Sequence, residues 1–227
     1  KELFAVANVD ARADKEVAAL NSGNPDLEKQ WYEISGQTFA LGALPRLLWV
    51  KKNLPDIYER TERISMISDW VLAKLSGVIA VDPSNAGTSG VFSLKDRKWD
   101  TTMAKQIGIK EDIFPPVYES GEKFAEVNQQ GSDESGLLKG TSVVMGGGDV
   151  QLGSAGLGVV KSGECAILGG TFWQQLVNMD NPQTHPNMDI RINPHVIPGI
   201  SQVEGITFFS GMVMRWFRDT FCQEEKA

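Results

Sequence analysis

The first part of the chain has the hydrophobic periodicity that is typical of helices. Apolar residues recur three or four positions apart, and Gly or Pro residues separate one run from the next. In the clearest case Leu27, Trp31 and Ile34 share one helical face, and Gly36 follows as a stop signal. The pattern predicts four helices and one short strand: helices over 10–20, 24–36, 44–52 and 68–75, and a strand over 64–67.

Beyond residue 77 the pattern changes to short β-type runs that are separated by glycine-containing turns. These runs predict strands over 78–81, 91–94, 141–145, 165–168, 172–177, 190–192 and 196–197. Helices are predicted near 103–107, after Asp149 and from Ser210 onward. The same region contains a polar loop over 82–90 and a polar stretch over 128–135. The second is the best candidate for a domain boundary, because few apolar contacts can cross it.

The composition allows a sizeable core and gives the chain an acidic balance. Hydrophobic residues make up 41% of the 227 positions, and 29 acidic against 22 basic residues give a formal charge of −7. An acidic chain without a Lys/Arg cluster disfavours nucleic acid and anionic membranes as partners. Its apolar runs are far shorter than the roughly 20 residues of a membrane span. Two lone cysteines, Cys165 and Cys222, suit a reducing cytosol, so we expect a cytoplasmic protein.

A glycine turn followed by a carboxylate is the strongest candidate for chemistry. Asp149 follows Gly146-Gly147-Gly148 and opens a helix directly after a predicted buried strand. Free amide donors and the helix dipole favour an ionised carboxylate there. Such a carboxylate can take a proton from a substrate hydroxyl during phosphoryl transfer. An aspartate at this place is also a common helix cap. The spacing alone favours the cap, so both roles stay open.

A second glycine turn lies about twenty residues further along the chain. Gly169, Gly170 and Thr171 offer backbone donors and a hydroxyl, which is what a loop that cradles phosphate oxygens needs. The same tripeptide can equally form an ordinary hairpin turn. Neither turn matches the P-loop or the dinucleotide fingerprint. The two histidines, His185 and His195, lie in a proline-rich segment without further ligands, so no metal site is expected.

Five segments together resemble the FGGY family of carbohydrate kinases, over essentially the whole chain. They are L-P-R-L-L-W at 44–49, I-S-D-W at 67–70, L-S-G at 75–77, D-P-S-N-A at 82–86 and G-G-D-V-Q at 147–151. The last of these matches the segment that carries the family's catalytic aspartate. Three departures are visible: Arg46 replaces the usual lysine, a polar Asn8 replaces an aromatic residue, and Thr171 lies one position later than the threonine of the family's second phosphate motif.

The resemblance implies an α/β protein with the actin-like (ribonuclease H-like) sugar kinase fold and an active site between two domains. Residues 1–135 would be part of the N-terminal domain, and residues 136–227 the end of that domain and the start of the C-terminal one. The cofactors implied are ATP and Mg²⁺. The implied site residues are Asp149 as the catalytic base, Asn8, Asp10, Arg12, Gln151 and Trp173 at the substrate, and Gly169, Gly170 and Thr171 at the phosphate. For Asn8, Arg12 and Gln151, local capping or a surface salt bridge is an equal alternative.

The substrate that the resemblance implies is a small carbohydrate-like molecule with a primary hydroxyl. The runs 7–12, 148–153, 169–175 and 193–199 are similar to a subgroup of the family that phosphorylates 4,5-dihydroxypentane-2,3-dione. A pentulose or polyol kinase and a non-catalytic sugar-binding module are the alternatives. Because side chains alternate faces along a strand, only one of Phe172 and Trp173 can face the substrate, and the resemblance favours Trp173.

Two phosphate and nucleotide motifs of the family are not found in the sequence. They are the D-x-G-T loop, expected before residue 1, and the glycine-rich adenosine motif, expected after residue 227. We therefore expect the chain to be an internal piece of a longer kinase, holding the second half of the first domain and the opening of the second. Such a piece would contain Asp149 but lack most of the ATP site.

Overall fold

The structure is a computed structural model that describes residues 2–7, 10–40, 42–170, 172–181, 183–207 and 209–224. The helices of this part of the chain are α1 (Asp14–Gly23), α2 (Leu27–Ser35), α3 (Leu44–Asn53), α4 (Pro55–Glu59), α5 (Ile67–Ser76), α6 (Pro83–Gly87), α7 (Thr102–Gln106), α8 (Gln129–Ser135), α9 (Asp149–Gly156) and α10 (Ser210–Phe221). Its strands are β1 (Phe92–Ser93), β2 (Lys98–Trp99), β3 (Lys123–Glu126), β4 (Ser142–Val144), β5 (Cys165–Gly169), β6 (Trp173–Met179), β7 (Arg191–Pro194) and β8 (Ser201–Thr207).

The helices of the first part enclose one hydrophobic core. The apolar face predicted on α2 is confirmed at Leu27 and Trp31, which are 4% and 1% exposed. The Trp31 ring meets the ring of Phe39 edge-on, with 5.0 Å between centroids. Gly90 lies against the Trp31 indole at φ +79°, and a Cβ there would come within 2.5 Å of the indole. Only glycine fits this position, because both the backbone angle and the space exclude a side chain.

An antiparallel sheet of four strands, in the order β5-β6-β8-β7, forms the second part. It is joined to the helical part at two close backbone approaches. The amide of Ile192 on β7 donates to the carbonyl oxygen of Gly36 at 3.1 Å. A Cβ on Gly87 of α6 would lie 2.3 Å from Cδ of Pro194. These contacts place α6 directly beside the end of β7. Two further antiparallel pairs, β1 with β2 and β3 with β4, lie between the two parts along the chain.

Four predicted elements differ from the structure. In place of the strand predicted over 78–81 there is only an isolated parallel bridge between Val81 and Val117. No strand forms over 64–67, where Met66 is instead the extended residue before α5. The run was too short to distinguish a strand from a helix start. The predicted loop over 82–90 contains the short helix α6, which Asp82 caps by accepting the amides of Ser84 and Asn85. The strand predicted over 196–197 is absent, whereas β8 was missed because its buried side chains include Gln202 and Glu204.

The polar stretch over 128–135 is a helix that packs closely on α5. The Asn128 side chain caps it by accepting the Gly131 amide at 2.8 Å, and the Asn128 amide donates to the carbonyl oxygen of Leu75 at 3.0 Å. A Cβ on Gly131 would lie 2.1 Å from that oxygen. This segment is therefore tightly packed rather than an open linker. The division of the chain at 135/136 stays a prediction.

Candidate active site

Asp149 lies where β4 leads through a glycine turn into α9. Gly148 precedes the helix with extended backbone angles, φ −60° and ψ 141°, and Asp149 is the first residue of α9. The carboxylate is exposed, and its Oδ1 accepts the amide of the next residue, Val150, at 2.9 Å. The site can therefore hold a proton acceptor that solvent and ligands can reach.

The glycine turn before Asp149 is enclosed by neighbouring elements. A Cβ on Gly147 would lie 2.4 Å from Cγ1 of Val196 and 3.3 Å from Oγ of Ser120. On the other side, the Gly148 amide donates to Oγ of the fully buried Ser84, at 2.7 Å. The turn thus needs glycine for space, and α6 holds it by a hydrogen bond.

Gln151, a predicted substrate residue, is 4% exposed. Its Nε2 donates to Oε1 of the buried Glu204 at 2.8 Å. On the far side of the same carboxylate, Arg191 lies 3.8 Å from Oε2. The side chain of Gln151 thus connects α9 to β8 and β7. Its direct contact with a substrate stays a prediction.

His195 is a buried histidine with partners on both ring nitrogens. Nδ1 accepts the amide of Ile197 at 2.9 Å, so the proton is assigned to Nε2, which lies 3.2 Å from Oγ of Ser154. The same hydroxyl accepts from Nε2 of Gln202 at 2.7 Å. Burial lowers the pKa of His195, which keeps the ring neutral. The geometry of His195 therefore supports a structural role.

A pocket of about 540 Å³ opens between α1, α3 and the β5–β6 hairpin. Its lining residues are Asp10, Ala11, Ala13, Asp14, Val17, Ala18, Phe39, Ala40, Gly42, Pro45, Arg46, Phe172 and Phe209. The lining combines aromatic rings with one arginine and two carboxylates. Such a mixture is typical of a small-molecule pocket, in which apolar walls bury the ligand and a few polar groups orient it.

Two of the predicted substrate residues form an ion pair at the edge of this pocket. Arg12 lies 2.6 Å from Oδ2 of Asp10, and its guanidinium lies over the ring of Trp49, 4.8 Å from the centroid. Hydrogen bonds from Arg12 hold the pKa of Asp10 below its usual range. Arg46 donates to the carbonyl oxygen of Asp10 at 3.3 Å. Asn8, predicted beside them, lies outside the described residues.

The second glycine turn is a hairpin between β5 and β6. Gly169 pairs with Trp173 across the ladder, and the Gly170 amide donates to the carbonyl oxygen of Phe172 at 2.8 Å. One of the amides expected at a phosphate is therefore used inside the turn. Thr171 lies outside the described residues. The phosphate role of the three residues stays a prediction.

The two aromatic residues after this turn differ in position. Phe172 lines the pocket, whereas the indole of Trp173 covers the backbone of Gly169, where a Cβ would come within 3.1 Å of it. Phe172 lies in the turn before β6, which begins at Trp173, and it is Phe172 rather than Trp173 that lines the pocket. Substrate contact by Trp173 stays a prediction, and Phe172 becomes the stronger candidate.

The predicted residues that the structure describes occupy three places. Asp149 and Gln151 lie at the start of α9, and Gly169, Gly170 and Trp173 lie in the β5–β6 hairpin. Asp10 lines the pocket and is paired with Arg12, whereas Asp149 is not part of the lining. Sequence reasoning missed Ser84, although the D-P-S-N-A segment that contains it was recognised as a motif. Among the described residues, no group of three or more His, Cys, Asp or Glu side chains could hold a metal ion. None of the described helices has the length and apolarity to cross a membrane.

Comparison with known proteins adds independent information. A family model described as the FGGY family of carbohydrate kinases, N-terminal domain, matches residues 4–156. Autoinducer-2 kinase of Enterobacter sp. (strain 638) is 55% identical over 99% of this chain and 42% of its own length. Autoinducer-2 kinase of Yersinia enterocolitica is 55% identical over 100% of this chain and 43% of its own. The chain thus spans less than half the length of these relatives.

Solved structures with a similar fold include two kinases. A ligand-bound xylulose kinase from Lactobacillus acidophilus has a TM-score of 0.86 at 20% identity, covering 96% of this chain and 44% of that one. Plasmodium falciparum glycerol kinase with ADP has a TM-score of 0.83 at 19% identity, covering 96% of this chain and 45% of that one. At this level of identity the similarity concerns the fold alone.

Proposed function

Because this chain belongs to the FGGY family of carbohydrate kinases, we propose that it carries the acceptor side of a kinase site in which Asp149 is the general base. The observation that carries the proposal is an accessible carboxylate at the start of α9, directly after a glycine turn. The first residue of the turn borders open space, because a Cβ on Gly146 would meet nothing within 4 Å, whereas Gly147 and Gly148 are enclosed.

In the proposed reaction, Asp149 takes the proton of a primary hydroxyl as the hydroxyl oxygen attacks a phosphoryl group. Phosphoryl transfer needs mainly positioning and charge stabilisation, so a general base contributes on the scale of roughly 10²–10⁴ in rate. The carboxylate is exposed at the start of α9, so a substrate hydroxyl can approach it. Gln151 and Glu204, which are hydrogen-bonded beneath the first turn of α9, keep that turn fixed to the sheet.

ATP is the phosphoryl donor in this proposal, and Mg²⁺ is its companion ion. The described residues provide only part of what a nucleotide needs, since the Gly170 amide already donates to Phe172. They bring no metal-binding cluster together. Mg²⁺ usually binds through substrate phosphates with one or two carboxylates, and such a site needs no protein cage. The remaining contacts to ATP would come from parts of the kinase that the relatives have beyond this segment.

The substrate that we propose is autoinducer-2, 4,5-dihydroxypentane-2,3-dione, phosphorylated in the cytoplasm as a step of quorum sensing. The identity of 55% to autoinducer-2 kinases along the whole chain supports this choice. The pocket beside α1 supports this choice, because the exposed ring of Phe172 offers an apolar wall for a substrate with few hydroxyls. We propose that this pocket binds the part of the dione away from the reacting hydroxyl. In the proposed architecture, residues 136–227 end the first domain and begin the second.

The experiment is a substrate panel with the complete reading frame that contains this chain. ADP release is measured with the dione, xylulose, ribulose and glycerol at matched concentrations. The proposal expects the highest kcat/KM for the dione. A preference for xylulose or glycerol would replace the proposed substrate by a pentulose or polyol. Absence of turnover with all four would favour the non-catalytic alternative.

A further inference from the structure

A buried hydroxyl on α6 contacts the backbone directly before Asp149. Oγ of Ser84 accepts the Gly148 amide at 2.7 Å, although the two residues are 64 positions apart in the sequence. Ser84 is fully buried, at 0% exposure. Because Ser84 and Gly148 are distant in the sequence, no neighbouring residue imposes this contact. The hydrogen bond itself therefore fixes the direction of the backbone just before Asp149.

The direction of this hydroxyl is fixed by a neighbouring carboxylate. Oδ1 of Asp82 accepts both the hydroxyl proton of Ser84 and, at 2.8 Å, its amide. A serine hydroxyl has one proton to donate. Since that proton is donated to Asp82, the Ser84 oxygen can only accept a further hydrogen bond, and it accepts the one from the Gly148 amide.

Asp82 itself is held rigidly. Its second oxygen accepts Nδ2 of Asn85 at 2.5 Å, and the same amide group donates to Oγ of Ser68 on α5 at 3.1 Å. At its other end, α6 abuts β7, where Gly87 leaves no room for a Cβ against Pro194. The acceptor offered to the Gly148 amide therefore belongs to a rigid segment that is fixed at both ends.

We propose that Ser84 is a positioning residue for Asp149: its hydroxyl, oriented by Asp82, fixes the Gly148 amide and thereby the direction in which the first turn of α9 presents the carboxylate. This inference rests on the proposed role of Asp149 in phosphoryl transfer. A misplacement of about 1 Å can cost roughly 100-fold in rate, so one backbone hydrogen bond next to the base is sufficient to matter.

The test compares Ser84→Ala with a matched control, Ser89→Ala, in the complete reading frame. Ser89 is also 0% exposed and lies just beyond α6, but its hydroxyl bonds to the carbonyl oxygen of Ala86 and the amide of Val91. Two readouts are used: hydrogen exchange of the Gly148 amide, and kcat and KM for phosphorylation. Ser84→Thr keeps the hydroxyl and serves as the conservative rescue.

We expect Ser84→Ala to speed exchange of the Gly148 amide at least tenfold and to lower kcat roughly 10- to 100-fold with KM nearly unchanged. Ser84→Thr should restore both, and Ser89→Ala should change neither. Unchanged exchange in Ser84→Ala would overturn the inference, as would an equal fall of kcat in the Ser89→Ala control. If the alanine variant does not fold, Ser84→Cys, whose sulfur is a weak acceptor, replaces it with the same expectations.

The two readouts separate this inference from the proposed function. The exchange measurement needs no activity, so it tests the hydrogen bond even in an enzyme without turnover. A wild-type protein that releases no ADP with any substrate would contradict the proposed function and, with it, the positioning role. A wild type that is active, together with faster exchange but unchanged kcat in Ser84→Ala, would contradict the positioning role alone.

Discussion

At the scale of the residue, Asp149 is the side chain whose chemistry can be tested most directly. Asp149→Asn should lower kcat roughly 10²–10⁴-fold with little change in KM, because an amide cannot accept the substrate proton. The fold should survive, since the amide oxygen can still accept the Val150 amide that the carboxylate accepts at 2.9 Å. Steady-state kinetics of the complete enzyme measure the effect.

The matched control is Asp56→Asn, at an exposed aspartate in the first turn of α4. It removes the same charge at the same kind of helix position and should leave kcat unchanged. Near-normal turnover in Asp149→Asn would assign that residue to the helix terminus alone.

The roles of Phe172 and Trp173 can be distinguished by measuring how their alanine variants change kcat/KM for different substrates. Phe172 lines the pocket and Trp173 covers Gly169, so Phe172→Ala should lower kcat/KM for the dione more than for xylulose. An apolar wall excludes hydroxyl-rich competitors because each hydroxyl buried without a partner costs about 1–3 kcal/mol. Loss of that wall should reduce the preference for the dione at least tenfold.

Trp173→Ala is the comparison variant, and its losses should be similar for all substrates. The measurement is ADP release over the same panel of four substrates with both variants. A selective loss of dione activity in Trp173→Ala, with an unselective one in Phe172→Ala, would restore the original choice of Trp173.

The residues of the site differ in how far the sequence could identify them. Asp149 could be proposed from the sequence because a strand, a glycine turn and a helix start follow one another there, and because the family resemblance favours the base over the cap. Ser84 was not, because its contact with Gly148 spans 64 positions and leaves no periodic pattern. For Phe172 and Trp173 the alternation of a strand says that one faces the pocket, but not which. That choice depends on how the hairpin is placed against α1 and α3.

At the scale of the element, helices with a clear apolar face were predicted well. α2 and α3 were confirmed to within a few residues because their periodicity and stop signals agree. β8 was missed because polar side chains fill its buried positions, where they bond to residues on neighbouring elements. The helix α8 was read as a boundary, since its polar sequence conceals how closely Gly131 packs on α5.

The junction between α2 and β7 gives a prediction about one glycine. Gly36 and Gly136 both end helices at positive φ, +69° and +77°, so alanine strains the backbone equally at both. A Cβ on Gly36 would also lie 2.6 Å from the carbonyl oxygen of Ile192, whereas one on Gly136 would meet nothing within 4 Å. Gly36→Ala should therefore lower the free energy of unfolding by about 1–3 kcal/mol more than Gly136→Ala.

Chemical denaturation of both variants measures this difference. Equal destabilisation by the two substitutions would show that the helical part can move away from β7 at no cost. The close approach seen at Gly36 would then contribute nothing to stability.

The start of α5 makes stability depend on pH. Burial raises the pKa of the Asp69 carboxyl to about 7, against the opposing effect of the Met66 amide, and the Asp82 carboxylate adds to the rise. Between about pH 4 and 7 the folded protein keeps this proton and the unfolded chain does not, so the free energy of unfolding falls as pH rises through that window. Asp69→Asn should remove this dependence, because an asparagine side chain does not titrate in this range. The start of α5 should be preserved, because the amide oxygen can still accept the Met66 amide.

Urea denaturation at pH 5 and pH 8 tests the assignment. Relative to wild type, Asp69→Asn should gain stability at pH 8 compared with pH 5, on the scale of about 1.4 kcal/mol for each unit of pKa shift. Other titrating groups cancel in this comparison, since both proteins share them. Parallel pH profiles for the two proteins would show that Asp69 is ionised in the fold throughout.

At the scale of the whole molecule, the predicted actin-like sugar kinase fold is confirmed by the solved kinases that share it. Composition and periodicity alone indicated only a mixed α/β chain. The fold class came from the motif segments. Two of them are in contact in the structure, since Ser84 on α6 accepts the amide of Gly148 before α9, and α6 also packs on β7 through Gly87. The packing of the helical part on the sheet could not be predicted, because it depends on close approaches at Gly36 and Gly87 that have no local signal.

The chain of 227 residues by itself should release no ADP above a buffer control with the dione, xylulose, ribulose or glycerol. It spans 42% of the length of an autoinducer-2 kinase, and its described residues include the proposed base but only part of the proposed cradle for a nucleotide. Because phosphoryl transfer depends on holding the donor in line with the acceptor, loss of that cradle should remove nearly all rate. The complete reading frame, assayed at the same concentration, is the positive control. ATP-dependent turnover by residues 1–227, abolished by Asp149→Asn, would show instead that this segment contains a sufficient ATP site.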